Sequence, residues 1–222
     1  MSSDRTARYD GLSQWYRDHV SALPLHQVAH RSALELLGAG AGRCLDLGCG
    51  TGFGVPALVA AGWQVVGVDV SAGQLAVADG VDAELVQADA ADLPFEDDSF
   101  DAVISVLTHT DFDDTASVFA EVHRVLRPGG GFVYVGSHPC FVAPSVERAR
   151  VDVPVLHPGY RKRGWWFTSP AFGEGIRPRV GVNHLPLADF LNALLRSGLT
   201  LVEFGEPGDD DYPYFLSLRA MK

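Results

Sequence analysis

Apolar positions recur along the chain with two periods, one helical and one typical of buried strands. Helical spacing appears in residues 9–20 and again in residues 25–37. Short apolar runs begin at residues 43, 64, 84 and 102, and a fifth ends at Gly136. Segments of helical composition lie between these runs, at 55–61, from 71 onward and at 112–126. This alternation, in a chain of 222 residues, is typical of one α/β domain.

The core pattern is interrupted between Phe141 and Asn183. This stretch is rich in proline, glycine and aromatic residues, and an irregular insertion of that length is usually functional. We therefore expect a lid that contacts the substrate. The pattern returns with a helix that begins near Pro186 and ends at Gly198. Two strands follow, at 199–204 and 213–218, and their short connection favours antiparallel pairing.

Residues 43–54 form the most informative stretch. An apolar run that contains Asp46 ends in glycines at 48, 50, 52 and 54, and a helical segment follows. A strand that breaks into a glycine loop and then a helix presents unpaired backbone N–H groups to a ligand, which predicts a nucleotide-type site. Phe53 occupies the position of the third glycine in the dinucleotide fingerprint, and no Gly-Lys-Ser/Thr of a phosphate loop follows.

Two further carboxylates follow the next two predicted strands. Asp69 lies near the end of the run 64–70, where a carboxylate can accept hydrogen bonds from a ribose diol. Ser71, two residues later, is a predicted helix N-cap. Asp89 ends the run that begins at residue 84, in the sequence Gln-Ala-Asp-Ala-Ala-Asp-Leu-Pro-Phe. Alone, Asp89 would be explained as a local cap; in register with Asp46 and Asp69 it indicates a ligand site.

Together these motifs closely resemble the class I S-adenosylmethionine (SAM) methyltransferases. The matching segments are Asp46–Gly52, Ser71–Leu75, residues 84–95 and the Leu-Arg-Pro-Gly-Gly turn at 126–130. Single-domain size and the Leu-Pro-Phe pattern look most like the ubiquinone/menaquinone-type branch. The resemblance implies a Rossmann-like, seven-stranded, mostly parallel sheet with helices on both faces and an antiparallel C-terminal hairpin. It also implies SAM as cofactor and S-adenosylhomocysteine as product.

The resemblance further implies which residues contact SAM. An acidic side chain beside the loop suits the zwitterionic methionine end, and the residues matching Asp89 and Ala90 meet the adenine. Tyr16 and its neighbours on the first helix either close over the cofactor or simply pack on the body. The cofactor-binding residues predicted in this way are Tyr16, Asp46, Gly48, Cys49, Gly50, Thr51, Gly52, Asp69, Val70, Gln74, Asp89, Ala90 and Leu107.

This assignment divides the chain into four parts. Residues 1–40 would supply helices that cover the cofactor site, and residues 41–137 would form the SAM-binding core. Residues 138–185 would be the lid insertion, and residues 186–222 would complete the sheet with a helix and a hairpin.

Several side chains are candidates for accepting a proton from a substrate. His138 follows the fifth strand and is the best placed of them, although hydrogen bonding to backbone is an equal alternative. His109 follows the fourth strand, where it more simply holds the loop. His184 and Tyr160, at the end of the insertion and within it, complete the set. No metal is expected: His26 and His30 have ligand spacing but lack a third ligand.

Charge narrows the range of partners. The formal net charge of −11 and the pI near 5.0 argue against binding nucleic acid or anionic membranes, and no Asn/Asp-Pro-Pro-Tyr motif of base-modifying enzymes follows the fourth strand. We expect a small-molecule substrate and, without a signal peptide or an apolar run of about 18 residues, a cytoplasmic location. Low lysine usage hints at a bacterial source. Three cysteines without disulfide or zinc spacing are read as free thiols.

The insertion has the opposite charge from the rest of the chain. Residues 138–185 contain seven Arg/Lys against three acids, a local charge of +4. A basic lid predicts an anionic substrate such as a carboxylate, and pairing of these arginines with the body is the alternative. The sequence thus predicts an O- or N-methyltransferase of small metabolites, including natural products. A SAM-binding protein that does not methylate and an NAD-dependent dehydrogenase are the other readings.

Overall fold

A computed structural model describes residues 7–19, 23–78, 80–150, 153–173 and 175–222. Val20, Asp152 and Glu174, which contributed to the expectations above, lie outside these ranges. The helices within them are α1 (Ser13–His19), α2 (Pro24–Leu37), α3 (Val55–Ala60), α4 (Ala72–Val77), α5 (Thr115–Val125), α6 (Arg177–Val180) and α7 (Leu187–Arg196). The strands are β1 (Arg43–Leu47), β2 (Gln64–Asp69), β3 (Glu84–Gln87), β4 (Phe100–Val106), β5 (Leu126–Ser137), β6 (Val146–Arg150), β7 (Val153–Leu156), β8 (Gly164–Trp166), β9 (Val182–His184), β10 (Thr200–Gly205) and β11 (Phe215–Met221).

Seven of these strands form one sheet in the order β10-β11-β5-β4-β1-β2-β3. Strands β1 to β5 are parallel, and β11 runs antiparallel to both β5 and β10. The predicted fold class and the C-terminal hairpin are therefore confirmed. Strand order reverses at β1, which has β2 on one side and β4 on the other. Ligands of open α/β sheets bind at such a reversal, beyond the carboxyl ends of the strands.

The core lies on both faces of this sheet because side chains alternate along β1. Leu45 and Leu47 face one side, where they belong to a buried cluster with Phe119 of α5 and Phe190 of α7. Cys44 faces the other side and packs in a cluster with residues of α2 and α3. A strand that is buried on both faces reads as a continuous apolar run, which explains why β1 is recognisable in the sequence.

The insertion is more ordered than its sequence predicts. Strands β6 and β7 pair antiparallel, as do β8 and β9. The short helix α6 lies between β8 and β9 along the chain. The expectation of an irregular segment was therefore wrong. Strands of three to five residues are too short to show a period, so tertiary pairing rather than local pattern determines them. We refer to residues 138–185 as the lid.

Capping decides several helix boundaries. The helix predicted from residue 112 begins at Thr115, because the Asp114 carboxylate accepts hydrogen bonds from the N–H groups of Ala116 (3.0 Å) and Ser117 (3.3 Å). The first helix also begins later than its sequence predicts, at Ser13 rather than Tyr9. The Ser71 N-cap is confirmed, since its hydroxyl accepts from the Gln74 N–H. Of the helices in the described ranges, none has the length and apolar character needed to cross a membrane.

Candidate active site

The strands at the centre of the sheet bring the predicted site residues to one edge. The glycine loop follows β1, Asp69 ends β2, and Asp89 lies two residues beyond the end of β3. A single 3-10 turn at His109–Asp111 follows β4. The lid and the N-terminal segment (residues 7–19) contact this edge as well. We refer to the space bounded by the glycine loop, Asp69, this turn and the lid as the crevice.

The glycine loop uses most of its backbone N–H groups internally. Gly48 and Cys49 both donate to the Val68 carbonyl, at 2.8 and 2.9 Å, and Gly52 donates to Cys49. The Gly50 N–H donates to the Asp69 carboxylate at 2.9 Å. The expectation of unpaired N–H groups was therefore wrong for these residues. What the loop offers a ligand is a bare main chain held in a fixed shape.

Two glycines of the loop differ in the space around them. Gly48 has a φ of +76°, and a Cβ there would collide with the side chain of Thr108. Gly50 has a φ of +54°, but a Cβ there would meet no atom within 4 Å. Gly48 is thus required by packing and backbone conformation, whereas Gly50 borders open space in which a ligand could lie against the backbone.

Two carboxylates, the buried Asp46 and the half-buried Asp69, give the site a negative character. Burial, more than the neighbouring charge of Asp69, raises the pKa of Asp46 to about 7. Burial also raises the pKa of Asp69 to about 6, although its carboxylate accepts from the N–H groups of Gly50 and Ser71. Neither carboxylate makes an ion pair or a hydrogen bond with a cationic side chain of the described residues. The pair therefore favours a ligand that brings positive charge or hydroxyl groups.

Asp46 also contacts space on the other side of the loop. Its side chain lines a small pocket between α2, α3 and the sheet, together with His30 and Gly54. It is only 3% exposed, and it lies close enough to Asp69 for the Asp69 charge to raise its pKa. Asp46 thus contributes to the crevice through its charge, while Asp69 contributes direct hydrogen-bonding positions.

The third carboxylate, that of Asp89, makes a local hydrogen bond. A local cap of this kind is the alternative to a ligand contact in the sequence analysis. Asp89 is exposed, and its Oδ1 accepts from the Ala91 N–H at 2.9 Å. Its Oδ2 has no hydrogen bond to a described residue and is available to a donor such as an exocyclic amine. Ala90 beside it is half-buried and packs on the core. A local turn and a ligand contact can therefore use different oxygens of one side chain.

Other predicted contacts differ in how closely they border the crevice. Gln74 is buried, and its Oε1 has no hydrogen-bond partner within the described part of the chain, so it is poised to accept from a ligand. Cys49 and Thr51 are buried, whereas the Val70 side chain is 51% exposed and its carbonyl accepts from the Gln87 amide. Leu107 has a φ of +61°, a conformation that strains an L residue and is often found at functional sites.

The N-terminal segment is fastened over β2 and α4 by a residue that sequence reasoning missed. Asp10 Oδ1 accepts from the Ser71 hydroxyl at 2.6 Å and from the Gly73 N–H at 3.2 Å. Tyr16 on α1 lies edge-on to Tyr9 and to His26, with ring centroids 5.5 and 6.0 Å away. The aromatic residues of this helix thus pack on the body, and that Tyr16 closes over the cofactor stays a prediction. No sequence signal marked Asp10.

His138 has no ring nitrogen free to accept a proton. Its Nδ1 accepts from the Cys140 N–H at 3.1 Å, so the proton must be on Nε2, which donates to the Glu206 carboxylate at 3.0 Å. Burial lowers its pKa, although Glu206 opposes the effect. The histidine that sequence reasoning placed first therefore joins the lid to the segment between β10 and β11.

His109 is also engaged through one nitrogen. Its Nδ1 lies 2.5 Å from the hydroxyl of Tyr134, a fully buried residue whose O–H has no other acceptor among the described residues. Tyr134 therefore donates, and the neutral ring carries its proton on Nε2. Burial, with the charge of Arg177 as a smaller cause, lowers the His109 pKa to about 3. His109 is thus a hydrogen-bond donor, as expected of a residue that holds a loop.

His184 is the candidate whose free nitrogen is unprotonated. Its Nε2 lies 2.7 Å from the Tyr160 carbonyl, which can only accept, so Nε2 carries the proton and Nδ1 a lone pair. Nδ1 has no hydrogen bond to a described residue, and burial lowers the His184 pKa. Tyr160 supports this arrangement, because its hydroxyl accepts from the Leu187 N–H at 3.0 Å and fixes the start of α7.

The two histidines with metal-ligand spacing pack as aromatic rings. His30 contacts Phe53 with centroids 4.9 Å apart, and His26 contacts Tyr16. Burial lowers the pKa of both to about 4, so they are neutral. Within the described residues, no group of three His, Cys, Asp or Glu side chains could hold a metal ion.

Comparisons with known proteins agree with this geometry. The family model described as "Methyltransferase domain" matches residues 45–134. A SAM-dependent methyltransferase from Mesorhizobium loti has a crystal structure that superposes with a TM-score of 0.70, at 28% identity over 92% of this chain and 99% of that one. Residues 45–134 thus match a methyltransferase domain, and the chain has the fold of a SAM-dependent methyltransferase.

The chain also matches curated methyltransferases over about half of its own length. It is 45% identical over 123 residues to a demethylmenaquinone methyltransferase from Clavibacter sepedonicus, covering 53% of this chain and 46% of that protein. It is 36% identical over 125 residues to a fatty-acid O-methyltransferase from Mycolicibacterium smegmatis, covering 51% and 43%. The chain therefore spans less than half the length of these two relatives.

The chemistry of the crevice fits the cofactor that this family uses. SAM has an ammonium group and a sulfonium centre, two ribose hydroxyls and an adenine amine. The carboxylates of Asp46 and Asp69 have no cationic partner in the described residues, and Gln74 Oε1 has no donor there. A methyltransferase cofactor supplies both cation and donors, whereas the pyrophosphate of a dinucleotide would be repelled. Asp69, Asp89 and the loop Gly48–Gly52 would hold SAM here.

Proposed function

We propose that this methyltransferase transfers a methyl group from SAM to an oxygen or nitrogen atom of a small, largely apolar metabolite, as in natural-product biosynthesis. The observation that carries the proposal is the pair of carboxylates, Asp46 and Asp69, which have no cationic partner among the described residues and lie at the strand reversal next to Gly50. The names of the relatives, which specify a fatty acid and a demethylated menaquinone, support a lipophilic acceptor.

When bound, SAM would supply an electrophilic methyl group on a sulfonium centre. The protein's task is then to orient an acceptor, exclude water and remove a proton. The lid excludes water: Trp165 donates to the Asp113 carboxylate at 2.7 Å and Asn183 donates to the Phe112 carbonyl, which ties the lid to the loop after β4. The Arg8 guanidinium lies 3.6 Å from the Trp165 ring centre and joins the N-terminal segment to the same cover.

His184 is the group that accepts the acceptor's proton. Its Nδ1 lone pair is fixed by the Nε2 hydrogen bond to Tyr160, and burial keeps the ring neutral. Tyr160 is a positioning residue in this proposal, and His109 and His138 hold the walls of the crevice. An acceptor that is already anionic would need no base, and its methylation would then be independent of His184.

The proposal is tested with methyl-labelled SAM and a panel of lipophilic phenols, alcohols, amines and carboxylic acids. We expect label in at least one O- or N-methylated product, identified by mass spectrometry. SAM binding by calorimetry without transfer to any member of the panel, or with transfer only to carbon or sulfur acceptors, would count against it.

A further inference from the structure

Arg177 of α6 lies where several elements meet. Its guanidinium bonds to Asp111 on the turn after β4 and to Tyr9 in the N-terminal segment. Its charge also acts on groups of α1, α2 and the segment before β11, namely Tyr16, His26 and Tyr214. Its side chain nevertheless remains 28% exposed. A side chain surrounded by so many elements and still accessible lines a concave wall, here that of the crevice.

Among the described residues, only the Nη1 atom of this guanidinium has hydrogen-bond partners. Nη1 donates to both oxygens of Asp111, at 3.0 and 3.3 Å, and to Tyr9 and the Gly181 carbonyl at 3.4 Å. Nε and Nη2 make no hydrogen bond to a described residue. One N–H of Nε and one N–H of Nη2 therefore form a planar edge that matches the two oxygens of a carboxylate.

The other lid cations with described side chains are engaged elsewhere or exposed. Arg163 pairs with Asp189 at 2.7 Å, Arg148 donates to the Tyr212 carbonyl, and Arg179 lies over the Trp15 ring. Lys162 lies over Trp166, and Arg161 is exposed. The sequence alternative of lid arginines paired with the body thus holds for several of them. Arg177 differs because its pairing leaves an unused edge in the crevice.

Asp111 keeps Arg177 charged and in place. Burial alone would lower the pKa of Arg177, but the charge and hydrogen bond of Asp111, together with the charges of Tyr9 and Tyr16, more than offset this and raise it. A second carboxylate on the free edge would share the guanidinium with Asp111. The free enzyme is therefore prepared for an anion without leaving an unpaired buried cation.

We propose that the Nε–Nη2 edge of Arg177 binds a carboxylate carried by the methyl acceptor, so that the enzyme selects carboxylic acids over neutral analogues. This inference rests on the proposed function. A carboxylate at this edge has two possible sources, the acceptor and the methionine part of SAM. Two features favour the acceptor: Arg177 belongs to the lid rather than to residues 45–134 matched by the family model, and it lies beside His109.

The test measures binding, so it does not require the natural substrate. The protein is saturated with S-adenosylhomocysteine and titrated with decanoate, benzoate and the neutral analogue decan-1-ol. We expect at least tenfold tighter binding of one carboxylate than of decanol, and loss of this preference in Arg177→Gln. Asp111→Asn removes the competing carboxylate and should tighten carboxylate binding without changing decanol binding. Arg161→Gln, an exposed lid arginine, is the matched control and should behave as wild type.

The outcomes separate the two sources. If Arg177→Gln weakens SAM binding tenfold and leaves carboxylate preference intact, the cofactor's carboxylate occupies the edge and the inference is overturned. Absence of binding of both carboxylates to the wild type also overturns it. Should Arg177→Gln not fold, Asp111→Asn still decides, since unchanged or weaker carboxylate binding contradicts the inference. A wild type that binds neither SAM nor S-adenosylhomocysteine would instead refute the proposed function.

Discussion

Replacing Asp46 with asparagine should stabilise the free protein while weakening its cofactor site. The amide is isosteric and cannot ionise, so the substitution removes the charge that burial and Asp69 disfavour. The folded-state pKa is about 7 against an ordinary value of 3.8. Since the folded state holds the proton more tightly, the free protein loses stability as pH rises from about 4 to 7, and this cost is complete above pH 7.

The size of the effect follows from the same values. A rise in pKa from 3.8 to about 7 corresponds to an upper limit of about 4 kcal/mol at pH 8. The buried amide also loses hydration, so we expect a net stabilisation of about 1–3 kcal/mol. For a chain of this size that raises the melting temperature by roughly 2–10 °C at pH 8 and by almost nothing at pH 4.

The assay is thermal unfolding without cofactor at pH 4, 6 and 8, together with SAM titration at pH 8. We expect Asp46→Asn to melt higher than wild type only at the upper pH values, and to bind SAM at least about tenfold more weakly because the negative charge that Asp46 adds to the crevice is lost. Asp210→Asn, at the exposed tip before β11, is the control. A change in melting temperature that is the same at all three pH values, or a lower one at pH 8, would refute the reasoning.

Three further predictions concern single contacts of the site. Gly50→Val should cost about 1–2 kcal/mol in urea unfolding, because of its positive φ, and should raise the SAM dissociation constant at least tenfold; unchanged SAM affinity would contradict the open-space reading. His184→Gln keeps an N–H donor for the Tyr160 carbonyl but has no basic nitrogen lone pair. Methyl transfer to a neutral acceptor should therefore fall about 10²–10⁴-fold, with SAM affinity unchanged. A retained rate would exclude His184 as the base. Asp10→Ala should accelerate hydrogen exchange in residues 7–19 and weaken SAM binding several-fold, and unaltered exchange would show that its bonds to Ser71 and Gly73 do not fasten the segment.

Local motifs made the core of the site predictable. The glycine loop after β1, Asp69 at the end of β2 and the Ser71 cap are each encoded within a few residues, because backbone conformation and capping are local properties. The sheet order then brings these strand ends together in the way that open α/β sheets require. The Asp89 turn was also found, although its local hydrogen bond to Ala91 appeared only in the structure.

Contacts between distant segments were beyond the sequence. Tyr9 and Asp111 are 102 residues apart, and Asp111 and Arg177 are 66 apart, so no local pattern links them. The roles of the histidines depend on which atom lies opposite each ring nitrogen, which also is not encoded locally. His138 was preferred from its place after β5, yet Cys140 and Glu206 occupy both of its nitrogens.

The central claim is that the carboxylates of Asp46 and Asp69 make this crevice a binding site for a nucleoside that carries a positive charge. Isothermal titration of the purified protein at pH 8 with SAM and, separately, with NAD⁺ tests it most directly. We predict one SAM site per chain, weakened in Asp69→Asn, and no measurable binding of NAD⁺. Heat from NAD⁺ but not from SAM, or SAM binding that is indifferent to Asp69→Asn, would contradict the account.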